Sequence, residues 1–143
     1  MENKIVVVGV IMEDHNGRIA LQLRDDSPEV VNAGKWSIFG GKVEQGEKAE
    51  QAALREMHEE LTVELLPEKL IYLGEYFLPD TEFHIFYYSV DKELDDAILN
   101  EGQAWRWCTP DEIRSSNIEG AQVIGYQSDF LEKIWNNKGF DID

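Results

Sequence analysis

The 143-residue sequence is poor in cysteine, in basic residues and in long apolar runs, and each scarcity excludes a class of protein. Its one cysteine, Cys108, cannot form an internal disulfide, so a disulfide-stapled scaffold is excluded. Lys and Arg number 13 against 29 Asp and Glu, which gives a formal net charge of −16. Such a chain would repel phosphates, so we expect no nucleic-acid partner. An anionic small molecule remains an allowed substrate if metal cations lie between it and the protein.

The hydrophobic pattern of the sequence also contains no candidate membrane span or targeting segment. No apolar run approaches the roughly 18–20 residues that cross a bilayer. The first run, Ile5 to Met12, lacks the charged segment and the cleavage site of a signal peptide. We therefore expect a cytoplasmic protein with no membrane partner.

The composition is that of a folded chain. Hydrophobic residues make up 43% and charged residues 29%, which is typical of globular proteins and not of disordered ones. A chain of this length can bury a core without cross-links. No repeat, low-complexity segment or linker divides it, so we expect one domain over residues 1–143.

Hydrophobic patterning predicts strands mixed with helices. Strands are predicted at residues 4–12, 18–24, 35–39, 70–78, 82–90 and 103–108, and helices at 48–61, from 110 and at about 121–136. Asn16 and Gly17 predict a hairpin turn, and Gly40 and Gly41 predict a turn after the third strand. Thr109 to Glu112 form a capping box. Hairpins around a central helix predict an α/β (α+β) sandwich with a mixed sheet.

The predicted helix at 48–61 carries three acids near its apolar face. Glu56, Glu59 and Glu60 fall within an arc of about 100°. Like charges three and four residues apart cost a helix about 0.2–0.5 kcal/mol per pair. A hard divalent cation such as Mg²⁺ or Mn²⁺ would remove that cost. A solvated helix face shows the same acids, so the helix alone leaves both interpretations open.

The spacing around this helix is more specific. Reading on from Gly41, five residues precede Glu47, and seven more precede the run Arg55-Glu56-Met57-His58-Glu59-Glu60-Leu61-Thr62-Val63. This pattern resembles the signature of the Nudix (MutT-like) hydrolases, Gly-x5-Glu-x7-Arg-Glu-U-x-Glu-Glu-x-Gly-U, with U aliphatic. Eight of the nine specified positions match. Thr62 replaces the last glycine, for which we expect only a small adjustment of the turn after the helix.

The resemblance implies a Nudix-type α/β/α sandwich with a central mixed sheet, and a pyrophosphohydrolase that cleaves a diphosphate linkage in a nucleoside diphosphate derivative. It implies that Mg²⁺ or Mn²⁺ is the cofactor. The ligands would be the carboxylates of Glu56, Glu59 and Glu60 and the carbonyl of Gly40, with one carboxylate deprotonating the attacking water. Arg55 would pair with Glu47 and hold the loop against the helix. Glu101 is a candidate further ligand, and an exposed loop acid is the equal alternative.

Substrate recognition is less specified. Arg24 is a candidate phosphate contact, Trp36 and Phe39 are candidate stacking residues, and Gly41 allows close backbone approach. Aromatic residues on strands are more often part of the core. The resemblance and the short chain favour a nucleoside triphosphate, including an oxidised one. Pro79 lies sixteen residues past Val63, a spacing that accompanies ADP-ribose hydrolysis in the family, so a nucleotide sugar or ADP-ribose is the alternative. Many relatives form homodimers.

Two interpretations from other classes compete with an enzyme. A non-catalytic Nudix module could bind a nucleotide as a sensor, but such modules typically lose the signature carboxylates, which this sequence retains. An acidic interaction protein with a coincidental signature is disfavoured by the joint spacing. We therefore expect a hydrolase whose partner is a small nucleotide.

Overall fold

The computed structural model describes residues 4–137. The described chain forms seven strands, three α-helices and one 3₁₀ turn: β1 (Ile5–Glu13), β2 (Ile19–Leu23), β3 (Trp36–Ser37), β4 (Phe39–Lys42), α1 (Ala49–Leu61), the 3₁₀ turn (Pro67–Lys69), β5 (Ile71–Leu78), β6 (Thr81–Ser89), β7 (Ala104–Cys108), α2 (Pro110–Ser115) and α3 (Gly125–Asn137). Among these helices, none combines the length and the apolar character that crossing a bilayer requires.

The strands form one mixed sheet with β1 near its centre. The order is β3-β2-β1-β6-β5, while β4 pairs with β1 and β7 pairs with β2. The β1–β6 pair is parallel and the other pairs are antiparallel. From Val8 to Met12, β1 is buried on both faces, which explains why this part of the strand is apolar. The predicted mixed sheet is confirmed.

Helices cover both faces of this sheet. On one face, Val10 and Met12 belong to a core cluster that includes Met57 and Leu61 of α1. On the other, Ile11 joins a cluster that includes Ile113 of α2 and Phe130 and Leu131 of α3. The α/β/α sandwich is therefore confirmed. The Thr109–Glu112 capping box starts α2 as predicted, because each side chain binds the other residue's backbone N–H.

Two predicted boundaries were wrong. Gly40 and Gly41 do not form a turn; they lie within β4, opposite Gly9 and Val8 of β1. A Cβ on Gly40 would lie 1.9 Å from the Val8 carbonyl oxygen, so glycine is needed there for close packing of two backbones. The last helix begins at Gly125 rather than near residue 121. The preceding segment instead pairs with β3, where Trp36 N–H donates to the Gln122 carbonyl at 2.8 Å.

Thr62 ends α1 in the conformation that favours glycine. Its φ of 55° is left-handed, and its N–H donates to the His58 carbonyl at 2.9 Å. Asn100 Nδ2 donates to Thr62 Oγ1 at 2.9 Å. The helix still ends at Leu61, so the threonine changes the cap and not the helix that carries the acids.

Candidate active site

A cavity of about 400 Å³ opens where α1, β4, the end of β2 and the loop before β7 meet. Its lining includes most of the residues singled out in the sequence: Arg24, Gly40, Gly41, Glu56, Glu59, Glu60 and Glu101. It also includes Asp25, together with Gln22 and Lys42, which the sequence did not indicate. We call this space the acidic cavity.

The position of α1 explains why its acids face this cavity. Lys48 N–H donates to Gln51 Oε1 at 2.9 Å, which caps the start of the helix. The apolar stripe of α1 packs on the sheet, so the adjacent rim that carries Glu56 and Glu60 lies along β4. A Cβ on Gly41 would lie 2.3 Å from the Glu56 carboxyl group. The absence of a side chain at Gly41 therefore leaves space for the Glu56 carboxylate.

Arg55 connects the loop before α1 to the helix. Its Nε donates to Glu47 Oε2 at 2.8 Å and its Nη2 donates to Glu47 Oε1 at 3.0 Å. Nη2 also donates to the Lys42 carbonyl at 2.8 Å. Nη1 lies 3.2 Å from a carboxylate oxygen of Glu56 and 3.2 Å from one of Glu59. The hydrogen bond from Arg55 is the main cause of a lowered pKa for Glu47 and, in return, of a raised pKa for Arg55.

Glu60 is the most buried acid of the cavity, with 2% of its surface exposed. Its Oε1 accepts a hydrogen bond from Gln22 Nε2 at 3.0 Å. Its Oε2 is buried and has no hydrogen-bond partner among residues 4–137. Burial, and then the neighbouring Glu56 carboxyl group, raises the pKa of Glu60 to about 9. Burial also raises the pKa of Glu56. Both shifts reflect the cost of placing negative charge in a buried site beside other carboxyl groups.

This donor set fits a hard divalent cation. The carboxylates of Glu56, Glu59, Glu60 and Glu101 line one cavity, and oxygen is the ligand atom that Mg²⁺ and Mn²⁺ prefer. The buried Oε2 of Glu60 has no hydrogen-bond partner in the described chain, and a bound cation would offset the cost of ionising this carboxyl group. Glu59 lies at the rim with its side chain half exposed.

A second group with metal-ligand side chains lies on β5 and β6. Glu75, Glu82 and His84 bring one ligand atom each to within 4.8 Å of one another. Sequence spacing missed it because Glu75 faces His84 only through the strand pairing. His84 already pairs on both ring nitrogens, with Glu82 Oε2 at 2.7 Å and with the Tyr72 hydroxyl at 2.9 Å. The imidazole of His84 therefore already has hydrogen-bond partners within the protein, whereas Glu60 Oε2 has none in the described chain.

Two of the predicted substrate contacts are core residues. Trp36 is 1% exposed, and its Nε1 donates to the Ile118 carbonyl at 2.9 Å. Phe39 is fully buried and packs edge-on against Trp105 with ring centroids 6.5 Å apart. The helices on both faces of the sheet cover these strands, although Phe39 also contributes to the lining of a second cavity. Their role as substrate contacts stays a prediction.

A second cavity of about 420 Å³ adjoins the first. Its lining is mainly apolar and includes Ile5, Leu78, Phe83, Ile124 and Tyr126, together with Ser37 and Gln127. We call it the apolar cavity. Both cavities share the lining residues Arg24, Gly40, Gly41 and Lys42. The sequence did not indicate the apolar cavity, because its walls come from segments far apart in the chain.

Comparison with known proteins agrees with this geometry. The model of the NUDIX domain family matches residues 3–126. The chain is 32% identical over 119 residues to a CTP pyrophosphohydrolase of Escherichia coli (strain K12), covering 83% of this chain and 86% of that one. It is 45% identical over 116 residues to an oxidized purine nucleoside triphosphate hydrolase of Danio rerio, covering 77% and 70%. The crystal structure of a MutT protein from Methanosarcina mazei Go1 shares the fold, with a TM-score of 0.74, 22% identity and 96% of each chain covered.

Proposed function

Since this chain belongs to the Nudix family and is a pyrophosphohydrolase of nucleotide derivatives, we propose that its substrate is a nucleoside triphosphate and that its cofactor is Mg²⁺ or Mn²⁺. Oxidised purine nucleotides are included among the candidate substrates. The observation that carries this proposal is the buried Glu60 carboxylate, whose Oε2 has no partner within residues 4–137. It lies in a cavity that four further acids line.

The metal-holding residues in this proposal are Glu56, Glu59 and Glu60, with the Gly40 carbonyl and Glu101 as further ligands. A divalent ion bound there would neutralise phosphate charge and acidify a water molecule. One of the three helix carboxylates takes the proton of the attacking water. Arg55 and Glu47 hold the preceding loop against α1, which keeps the lining of the acidic cavity in place.

The shared wall of the two cavities is the proposed phosphate path. Arg24 and Lys42 line both cavities, and they supply positive charge to polyphosphate in a chain whose net charge is −16. Gly41 lets the backbone approach the substrate closely. The polyphosphate then lies in the acidic cavity.

The apolar cavity is the proposed nucleoside site. Phe83 and Tyr126 provide aromatic surface, and Ser37 and Gln127 provide polar groups for the base. These two polar residues are held by their own hydrogen bonds, Gln127 Nε2 to Ser37 Oγ at 3.1 Å and Ile38 N–H to Gln127 Oε1 at 2.8 Å. This preorganisation favours a defined base over a flexible apolar group.

A nucleotide sugar or ADP-ribose is the second candidate substrate. Pro79 follows β5, and its neighbours Leu78 and Asp80 both line the apolar cavity. A second sugar could therefore meet the β5–β6 turn. A sensor that binds without hydrolysis is disfavoured, because every signature carboxylate and Arg55 are present.

The test measures the products released from a substrate panel at fixed Mg²⁺, separated by chromatography. Nucleoside triphosphates yield pyrophosphate or phosphate, whereas ADP-ribose and nucleotide sugars yield a nucleoside monophosphate and a sugar phosphate. The panel contains ordinary and oxidised nucleoside triphosphates, ADP-ribose, nucleotide sugars and dinucleoside polyphosphates. Each is assayed with the wild type and with Glu60→Gln, which preserves shape but not charge. We expect turnover of triphosphates that the variant loses. Turnover of ADP-ribose alone would select the second candidate, and binding without any turnover would favour the sensor.

A further inference from the structure

Gln22 is a buried polar residue in an otherwise apolar strand. The other residues of β2 are Ile19, Ala20, Leu21 and Leu23, while Gln22 is only 6% exposed. It pairs with Ser37 of β3 on one side and with Trp105 of β7 on the other. Burying an amide costs free energy unless it is hydrogen-bonded, so its presence here requires a partner.

That partner is a carboxylate of the acidic cavity. Gln22 Nε2 donates to Glu60 Oε1 at 3.0 Å, and both side chains are buried. The opposite oxygen of Glu60 has no donor in the described chain. The amide therefore restrains the carboxyl group through one oxygen and leaves the other available.

Gln22 also contacts the loop that carries Glu101. A Cβ on Gly102 would lie 2.9 Å from Gln22 Oε1, so the loop backbone runs directly beside the amide. Backbone hydrogen bonds connect the same loop to α1 and to β2. Asn100 N–H donates to the Glu60 carbonyl and Gln103 N–H donates to the Leu23 carbonyl, each at 2.8 Å. Gln22 thus lies between Glu60 and the segment of Glu101.

We propose that Gln22 is a positioning residue for the metal site, which fixes the orientation of the Glu60 carboxylate and supports the loop of Glu101. The inference rests on the proposed function in one respect, the assignment of Glu60 as a metal ligand. A ligand that is already oriented loses less conformational freedom when a cation binds. Groups that hydrogen-bond to metal ligands typically contribute 10–100-fold to metal affinity.

The test replaces Gln22 by Met, which keeps the unbranched length and removes the donor. Gln22→Leu repeats it with a residue type that β2 already contains. The matched control is Gln103→Met, which removes another glutamine bond next to β2, from Gln103 Nε2 to the Arg24 carbonyl at 2.8 Å, without touching a carboxylate. Mn²⁺ binding is measured directly by paramagnetic resonance of the free ion, and the fold is checked by circular dichroism.

We expect the Gln22 variants to bind Mn²⁺ about 10–100-fold more weakly than the wild type, and Gln103→Met to bind it normally. In turnover assays the loss should be recovered by raising Mg²⁺, with the KM for nucleotide little changed. Wild-type Mn²⁺ affinity in the folded Gln22 variants, or an equal loss in Gln103→Met, would overturn the inference alone. If the Gln22 variants bind Mn²⁺ more weakly but the wild type hydrolyses no substrate of the panel, the inference is supported and the proposed function is overturned. A wild type that binds no Mn²⁺ would overturn both.

Discussion

Arg55 binds both carboxylate oxygens of Glu47, with Nε to Oε2 at 2.8 Å and Nη2 to Oε1 at 3.0 Å. Such a paired contact needs the planar guanidinium, because an ammonium group offers no matching fork. The same guanidinium also contacts Glu56 and Glu59. The Arg55 side chain therefore connects the loop before α1 to the helix and partly neutralises the charge of two acids of the cavity.

Substitutions of Arg55 should distinguish the contribution of its positive charge from that of its paired hydrogen bonds to Glu47. We expect Arg55→Ala to lower kcat/KM by about 100-fold, since a displacement of about 1 Å at an active site can cost that much. Arg55→Lys retains the charge and should recover only part of the loss. Both are measured in steady-state assays with the preferred substrate. Full activity of Arg55→Ala would show that the Glu47 contact has no role in positioning the loop.

The stability of the metal-free protein should fall as pH rises. The pKa of Glu60 is raised to about 9 from an ordinary value of 4.5, so its stabilising contribution is complete below about pH 4.5 and is lost as pH approaches 9. We expect the free energy of unfolding to fall by at least about 1.4 kcal/mol, the equivalent of one pKa unit, between about pH 5 and pH 9. Urea denaturation in EDTA measures it.

Glu60→Gln is the control for that pH dependence. The variant cannot ionise at residue 60, so its unfolding free energy should change less over the same range, the remaining change coming from Glu56, whose pKa burial also raises. The acids with lowered pKa do not interfere, because their contributions are lost only at lower pH: Asp14, Glu29, Glu47, Glu93 and Glu112. Equal slopes for the two proteins would contradict the assignment of the shift to Glu60.

Magnesium should raise the melting temperature by binding only the folded protein. At a concentration of 100 times Kd the stabilisation is about 2.7 kcal/mol. We expect a Mg²⁺-dependent rise at about pH 7.5 that EDTA reverses and that Glu60→Gln largely lacks. The absence of a shift in the wild type would contradict a metal site in the acidic cavity.

Gly41→Ala should disable the site with little change of the fold. The added Cβ would lie 2.3 Å from the Glu56 carboxyl group, so that side chain has to move away from its position. We expect at least a tenfold loss of Mn²⁺ affinity. The control is Gly125→Ala, where an added Cβ meets nothing within 4 Å and turnover should be unchanged. Normal Mn²⁺ binding by Gly41→Ala would exclude Glu56 as a required ligand.

The apolar cavity should contribute to nucleotide binding and not to phosphate chemistry. We expect Tyr126→Leu to raise the KM for a nucleoside triphosphate several-fold with kcat little changed, because uniform binding is lost. Inorganic tripolyphosphate has no base and serves as the control substrate. If the variant affects both substrates equally, the base does not bind beside Tyr126.

Local features of the chain were predictable because they depend on neighbouring residues. The Thr109–Glu112 box, the turn at Asn16 and Gly17 and the shared face of Glu56 and Glu60 follow from spacings of one helical turn or one hairpin. The sheet confirmed the strands that alternation predicted, within one or two residues at most ends. The signature spacing was enough to identify the family.

Contacts between distant segments were decided only by the tertiary structure. Gln22 meets Glu60 across 38 residues, and no local pattern distinguishes it from a glutamine exposed on an edge strand. Gly40 and Gly41 form a strand and not a turn because β1 lies against them. Trp36 is covered by the segment before α3, to which it is also hydrogen-bonded. The spacing along the chain sets which groups share a face, whereas strand register and packing set what that face meets.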